Sequence, residues 1–465
     1  MTNNTLLSAP DRRSFLKTAA LMMLAPAALS SGTFARTDQP ALSPSLQLNV
    51  RDFGAVGDGV TLDTTSLQRT IDRANVLGGG DVLVPAGRYL TGGISLRSNV
   101  TLRFEPGAVL LGAPDLAHYE VAQVRWEGKW IAGYTALIHA LDANHIAVIG
   151  PGTIEGNVAV AGRPTKENPL RRPALIEFIN CDDVHMEGFS TLYQHMWSIH
   201  PTLCDRLVLR NLNVRSTETN GDGIDIDSCR HVLIDSCDIA SGDDCISLKS
   251  GRGEEANQMA RPTEDVRIVN CTLEGRGYAC IGIGSETSGG IRNVVIEHCK
   301  VTSVFKFAIY IKSRVGRGAF IENISVRDFE AANMRQGFLK ISQTSAGIQD
   351  ADPVAGLKGV PLFRNILFQK IRVRDAPVLL EATEIAEQKP LDGFTFEEVS
   401  GTCAKGMTLA NVRNASLKSI TVTGFAGPLL RTSNVTGRLM SKAEVIPAPK
   451  QPVLVEAPLV PYRLH

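Results

Sequence analysis

The chain has 465 residues, and its 48 Lys and Arg balance 48 Asp and Glu, so the formal net charge is zero. At 43% hydrophobic and 21% charged, the composition is globular; it excludes a disordered chain, which combines low hydrophobicity with high net charge. The balance leaves no basic surplus for a nucleic-acid footprint, and 42 glycines with only 6% aromatics favour many turns and short strands.

Near the N-terminus, Asp11-Arg12-Arg13-Ser14-Phe15-Leu16-Lys17 precedes an apolar run from Ala19 to Leu29. Pro26 interrupts that run, and it falls short of the roughly 20 apolar residues that span a bilayer. Paired arginines ahead of a modest apolar stretch resemble a bacterial twin-arginine export signal, with Thr33-Phe34-Ala35 as the cleavage site. Residues 1–35 are therefore read as an export signal and 46–465 as one domain of a periplasmic or extracellular protein without a membrane partner. A helix is predicted next: Leu67, Ile71 and Ala74 share a face, Asp63 or Thr64 can cap it, and Gly78-Gly79-Gly80 ends it.

From there one pattern recurs: a polar pair, an apolar anchor, alternation, then a turn. The anchors are Ile146, Val184, Leu207, Val232, Val266, Val294, Ile324, Ile366, Phe394 and Ala415, spaced 21 to 42 residues apart. Such a period with alternating strands marks a solenoid. Five residues past the anchors stand Phe189, Leu212, Cys237, Cys271, Cys299, Phe329, Ile371, Val399 and Ile420, which predicts an internal stack. The cysteines in it act as small hydrophobes, and an odd total of nine without Cys-x-x-Cys spacing argues against disulfides or zinc. A second strand follows each anchor: Ile224-Asp-Ile-Asp227, Ile246-Ser-Leu-Lys249, Ile281-Gly-Ile-Gly284, Ile309-Tyr-Ile-Lys312 and Leu339-Lys-Ile-Ser342. Alternation turns Ile and Leu inward and the other residues to an outer face. The expected fold is all-β, a right-handed parallel β-helix, whose open end the N-terminal helix would cap.

Stacking the outer strands aligns the residues ahead of them, so Asp222, Asp243 and Asp244 are expected in one groove. Crowded carboxylates repel, and one should keep its proton to higher pH than a free Asp. A protonated acid beside an ionised base suits glycosidic hydrolysis. On spacing alone these residues also fit turn chemistry or an oxygen-only calcium site. His200, on the outer strand one coil before Asp225, reads as a sugar contact or a hydrogen-bonded strand histidine. Trp126 and Trp130 lie in a loop-like stretch with Arg125 and Lys129, suited either to charged sugars or to burial.

The motifs Asn220-Gly-Asp-Gly-Ile-Asp225, Gly242-Asp-Asp-Cys-Ile246, Ile283-Gly-Ser-Glu286, Ser288-Gly-Gly-Ile-Arg-Asn293 and Ile311-Lys-Ser-Arg-Val-Gly-Arg-Gly318 together resemble glycoside hydrolase family 28, the polygalacturonase-like hydrolases of pectin. The likeness runs from Phe53-Gly-Ala-Val-Gly-Asp-Gly59 to Asn323. It implies inverting hydrolysis with no metal or other cofactor. Asp243 would be the general acid, and Asp222 and Asp244 would hold and activate water. Lys312 would contact a sugar carboxylate, and Asn220 would orient its neighbours. Two departures stand out: Gly277-Tyr278-Ala279 replaces the family's Gly-His-Gly, and Tyr310-Ile311-Lys312 replaces Arg-Ile-Lys. Tyr278 and Tyr310 thus become candidate substrate contacts, with Lys249 on the same face. Tyrosine stacks on a sugar ring but brings no charge. The expected partner is a pectic chain with fewer or differently placed charges near the cut, such as a rhamnogalacturonan-type chain, bound by a monomer. Two other functions compete: a calcium-dependent β-helix lyase, favoured by Lys249, Lys312 and Lys340, and an inactive polysaccharide-binding β-helix.

Overall fold

Two kinds of residue set each coil: an apolar residue that turns inward, and a polar one before it that accepts a left-handed backbone. His145, Asp183, Arg206, His231, Asp265, Asn293, Asn323 and Asn365 each precede an anchor, and their φ values lie between 52° and 57°. Asn and Asp enter this region most readily among residues with a side chain, which accounts for the polar pair in the repeat. The same side chains bond between coils: Asn323 donates to Asn293 and Asn365 to Asn323, each at 3.0 Å.

The computed structural model describes residues 46–160, 162–194, 196–216, 220–440 and 442–456, so the twin-arginine segment at 1–35 lies outside the described residues. Among these residues, no helix is long and apolar enough to cross a membrane. The anchors pair in parallel and in register, from Ile146 with Val184 through to Ile366 with Phe394. A second ladder joins Ile199, Ile224, Ile246, Ile281, Ile309 and Leu339. A third runs through short strands such as Asp238–Ser241 and Thr272–Gly275. Three ladders around one apolar core make a parallel β-helix. Its coils begin earlier than the repeat does, because Gln47–Asn49, Gly80–Val84 and Val100–Phe104 already belong to the first ladder.

The helix is Thr64–Val76, with Leu67, Ile71 and Ala74 buried as their spacing predicts. Asp63 takes the N-cap position, yet its carboxylate accepts from the Val56 and Gly57 N–H groups at 2.7 and 2.9 Å, not from the helix. Phe189, Leu212, Cys237, Cys271, Cys299, Phe329, Ile371 and Val399 are all buried, and Ile420 is partly so. All nine cysteines are free and buried.

Two expectations need correcting. The stretch holding Trp126 and Trp130 is a hairpin, Val121–Trp126 paired antiparallel with Lys129–Tyr134. Glu127 and Gly128 both have positive φ and form its two-residue turn, which Glu-Gly signals less clearly than Asn-Gly or Asp-Gly. The outer face of the second ladder is also not a solvent face: Asp225 and Ser247 are 0% exposed. Chain inserted between the strands folds back over that sheet, so alternation marks inside from outside the coil but not dry from wet.

Phe338 packs against Phe329, Phe368 and Phe396 at centroid distances of 6.1, 6.1 and 6.3 Å. Phe338→Ala should lower unfolding stability by about 3–5 kcal/mol, read from the denaturant midpoint, because the rigid stack cannot collapse into the cavity.

Candidate active site

Asp222, between Gly221 and Gly223, leads into the strand Ile224–Asp227, and Asp243 and Asp244 lead into Ile246–Lys249. Because Ile224 pairs with Ile246, the two turns are stacked neighbours. One carboxylate oxygen from each of Asp222, Asp243 and Asp244 lies within 4.8 Å of the others. Asp222 and Asp244 are buried, whereas Asp243 is partly exposed. The next coil makes the room: Gly282 pairs with Ser247, and a Cβ on it would fall 2.4 Å from Asp244 Oδ2.

Each acid is held differently. Asp244 accepts from Lys312 Nζ at 2.8 Å and from the Ala279 N–H at 3.1 Å. Asp243 accepts from the Asp244 N–H at 3.1 Å and the Asn220 N–H at 3.3 Å, so Asn220 orients it through backbone. Asp222 lies 3.7 Å from Lys249 Nζ, and its Oδ1 is buried with no hydrogen-bond partner. Lys249 is closer to Asp225, at 3.1 Å.

Burial and the Asp244 charge hold the Asp243 carboxyl above its ordinary range, against the pull of Lys312 and Lys249. Burial, then Asp225 and Asp243, push Asp222 well above it. Burial also raises Asp225, although Lys249 and His200 oppose it. Glu286 goes the other way: burial favours its neutral form, but Lys249, Arg317 and Lys312 hold it at about 2. Burial lowers Lys249 and Lys312, yet the surrounding charges, Asp225 first for Lys249 and Asp244 first for Lys312, raise both above the ordinary lysine range. Three clustered carboxylates can cage a hard cation. Here Lys312 and Lys249 already bring positive charge to two of the three.

Not every candidate lines the groove. His200 is 0% exposed; its Nδ1 lies 3.2 Å from Glu177, its Nε2 3.2 Å from Thr202 Oγ1, and its ring packs edge-on to Trp197. Arg171 clamps the same Glu177 with two 2.7 Å bonds, so His200 belongs to a buried network beneath the floor. Lys249 and Lys312 are buried too, but they stay within the cluster, beside Asp222 and Asp244 at 3.7 and 2.8 Å. Tyr278 and Tyr310 do come together as a stacked pair, 6.1 Å apart at 21°. Lys306, which no sequence motif contains, places its ammonium 3.7 Å above the Tyr278 ring. Asp225 and Glu286 do lie inside motifs, and their fully charged surroundings could be read only after folding.

The hairpin packs over the sheet near the acids, its turn at Gly128 close against Gly251, Arg252 and Glu286. Arg125 is buried and pairs with Asp227 at 3.1 Å and Glu255 at 3.2 Å. Lys129 reaches Asp352 at 2.6 Å, and Trp126 stacks on Trp197 at 5.0 Å.

A profile of the family described as Glycosyl hydrolases family 28 matches residues 80–422. The chain belongs to this family. It is 30% identical over 389 residues to a "Probable polygalacturonase" of Vitis vinifera, covering 81% of this chain and 77% of the relative. It is 22% identical to an exo-poly-alpha-D-galacturonosidase of Dickeya chrysanthemi, covering 81% and 74%. Among solved structures, it resembles a hyperthermoactive exopolygalacturonase from Thermotoga maritima with TM-score 0.71 and 26% identity, covering 81% of this chain and 93% of that one. The family 28 exopolygalacturonase of Yersinia enterocolitica, at 21% identity and TM-score 0.75 over 87% and 78% of the two chains, shares the fold. This family 28 member is a glycosidase acting on O-glycosyl bonds, and the aspartate groove is the candidate place for that chemistry.

Because the fold raises Asp243 above its ordinary value of 3.8, ionising it costs the folded state more than the unfolded one. That cost is full above the folded-state pKa and absent below the unfolded value. Asp243→Asn should therefore raise the thermal midpoint at pH 7, with the gain fading as the pH approaches about 4. Calorimetry at the two pH values checks this, and a lowered midpoint at pH 7 would contradict it.

Proposed function

We propose that the protein hydrolyses glycosidic bonds of a galacturonate-containing pectic chain, working from a chain end. The observation that carries this is the three-aspartate cluster, with Asp243 partly exposed, in a family 28 chain. Asp243, whose carboxyl burial and then Asp244 hold above its ordinary range, donates its proton to the leaving glycosidic oxygen as the C–O bond breaks. Asp222 and Asp244 hold a water whose oxygen forms the new bond to the anomeric carbon from the opposite face. The water's proton passes to one of these two carboxylates, and the product anomer is inverted.

The 4.8 Å cluster is tighter than the roughly 6.5–9.5 Å that separates the two acids of a common inverting pair. A third carboxylate answers that difference, because water can sit against two acids while the third protonates the leaving group. Elimination needs a basic residue able to shed its proton, and the acids around Lys249, Lys312 and Lys340 raise all three against burial. End-attack is supported by relatives named as exo-acting enzymes.

A second substrate reading, a rhamnogalacturonan-type or decorated chain, is favoured by the uncharged pair Tyr278 and Tyr310. A rate panel on polygalacturonate, rhamnogalacturonan and short oligomers separates the two readings; the faster chain decides.

Asp243→Asn should cut turnover at least about 10²-fold, since removing a general acid typically costs 10²–10⁴. Wild-type enzyme should release reducing ends without ultraviolet absorbance, and a chelator should leave its rate unchanged. Short products of one size should dominate from the first minutes, and proton NMR should show the inverted anomer. Retained anomer would overturn the water-holding roles of Asp222 and Asp244. A mixture of long fragments would overturn end-attack.

A further inference from the structure

Three of the four lysines along the groove are already spoken for. Lys249 pairs with Asp225 at 3.1 Å, Lys312 with Asp244 at 2.8 Å, and Lys340 with Glu381 and Glu384 at 3.1 and 3.3 Å. Among the described residues, Lys306 has no acid partner. Its ammonium rests 3.7 Å above the face of Tyr278, half-buried, with Lys312 4.3 Å from the same ring. The backbone at this position is pinned on both sides. The Lys306 N–H donates to the Tyr278 carbonyl at 3.0 Å, and its own carbonyl accepts from Gln336 and Gly337 at 3.1 and 3.2 Å.

We infer that Lys306 is the specificity-determining cation of this enzyme, binding the carboxylate of a uronate unit while Tyr278 and Tyr310 receive the sugar ring. Lys306 precedes the strand Phe307–Lys312, two coils on from Asp244 and hence roughly 10 Å along the axis. The two tyrosines leave the groove without charge at 278 and 310, and Lys306 supplies a cation from the neighbouring turn. Burial and then the Lys312 charge lower the Lys306 ammonium against the pull of Asp243 and Asp244, so an incoming carboxylate would add the close partner it lacks. One free cation reads one carboxylate, which suits a chain with a single charged unit beside the cut.

The inference rests on the pectic reading above, and the test separates them. Lys306→Met and Lys306→Arg are compared with wild type on polygalacturonate and on the same chain fully methyl-esterified, which carries no charge. Lys306→Gln replaces the Met variant if thermal unfolding shows that variant misfolded. On the charged chain, the uncharged variant should lose about 10- to 100-fold in kcat/KM, the size of a lost charge-assisted hydrogen bond. On the esterified chain it should stay within about threefold of wild type, because no carboxylate is read there. Lys306→Arg should recover most of the loss. Equal losses on both chains, or none on either, would overturn the role. Calorimetric binding of a trigalacturonate provides a readout that needs no turnover. If wild type binds the trimer without cleaving any pectic chain, hydrolysis fails while the affinity difference still judges Lys306. If wild type does not bind it, the inference fails.

Discussion

A parallel β-helix sets equivalent residues of successive coils about 4.8 Å apart, and in this chain that spacing brings aspartates from two neighbouring turns within 4.8 Å. The constraint works through register. Ile224 against Ile246 and Ile246 against Ile281 hold the turns in line, and a slip of one residue would turn the apolar row outward. The site is therefore as rigid as the core beneath it. Gly282 shows how closely the two are coupled, because the space that admits Asp244 exists only while its coil lacks a side chain there.

The cost of this arrangement is electrostatic. Asp222, Asp225 and Asp243 all resist ionisation where they stand, chiefly through burial. Lys249 and Lys312 pull against that resistance, and Asp225, then Glu286, raise Lys249 in turn. Desolvating such pairs generally cancels much of their Coulomb attraction, so the network contributes little net stability. Stability resides in the stacked apolar columns, and the groove is the place where local rules of folding are broken.

Arg125, Trp126 and Lys129 pin the hairpin down through Asp227, Trp197 and Asp352. Tyr278 and Tyr310 stack on each other beneath the Lys306 ammonium, with Tyr278 and Lys306 only half-buried.

The repeat, the coil register, the helix at Thr64–Val76 and the gathering of Asp222, Asp243 and Asp244 were all legible in the sequence, because each follows from a local period or from stacking equal positions. The N-terminal coils were not, since Gln47–Asn49 and Gly80–Val84 are too short to announce a period. Nor was the covering of the outer face: alternation records which way a side chain points, not what later folds over it. That is why His200 reads as a groove residue and proves to be buried, held by Glu177 from another strand. Lys306 illustrates the opposite limit. No motif marks it, and only the stacking of its turn on that of Tyr278 places a free charge beside an aromatic face. Periodicity along the chain determines the coil; contacts between inserted segments, distant in sequence, decide which of its outer residues meet a ligand.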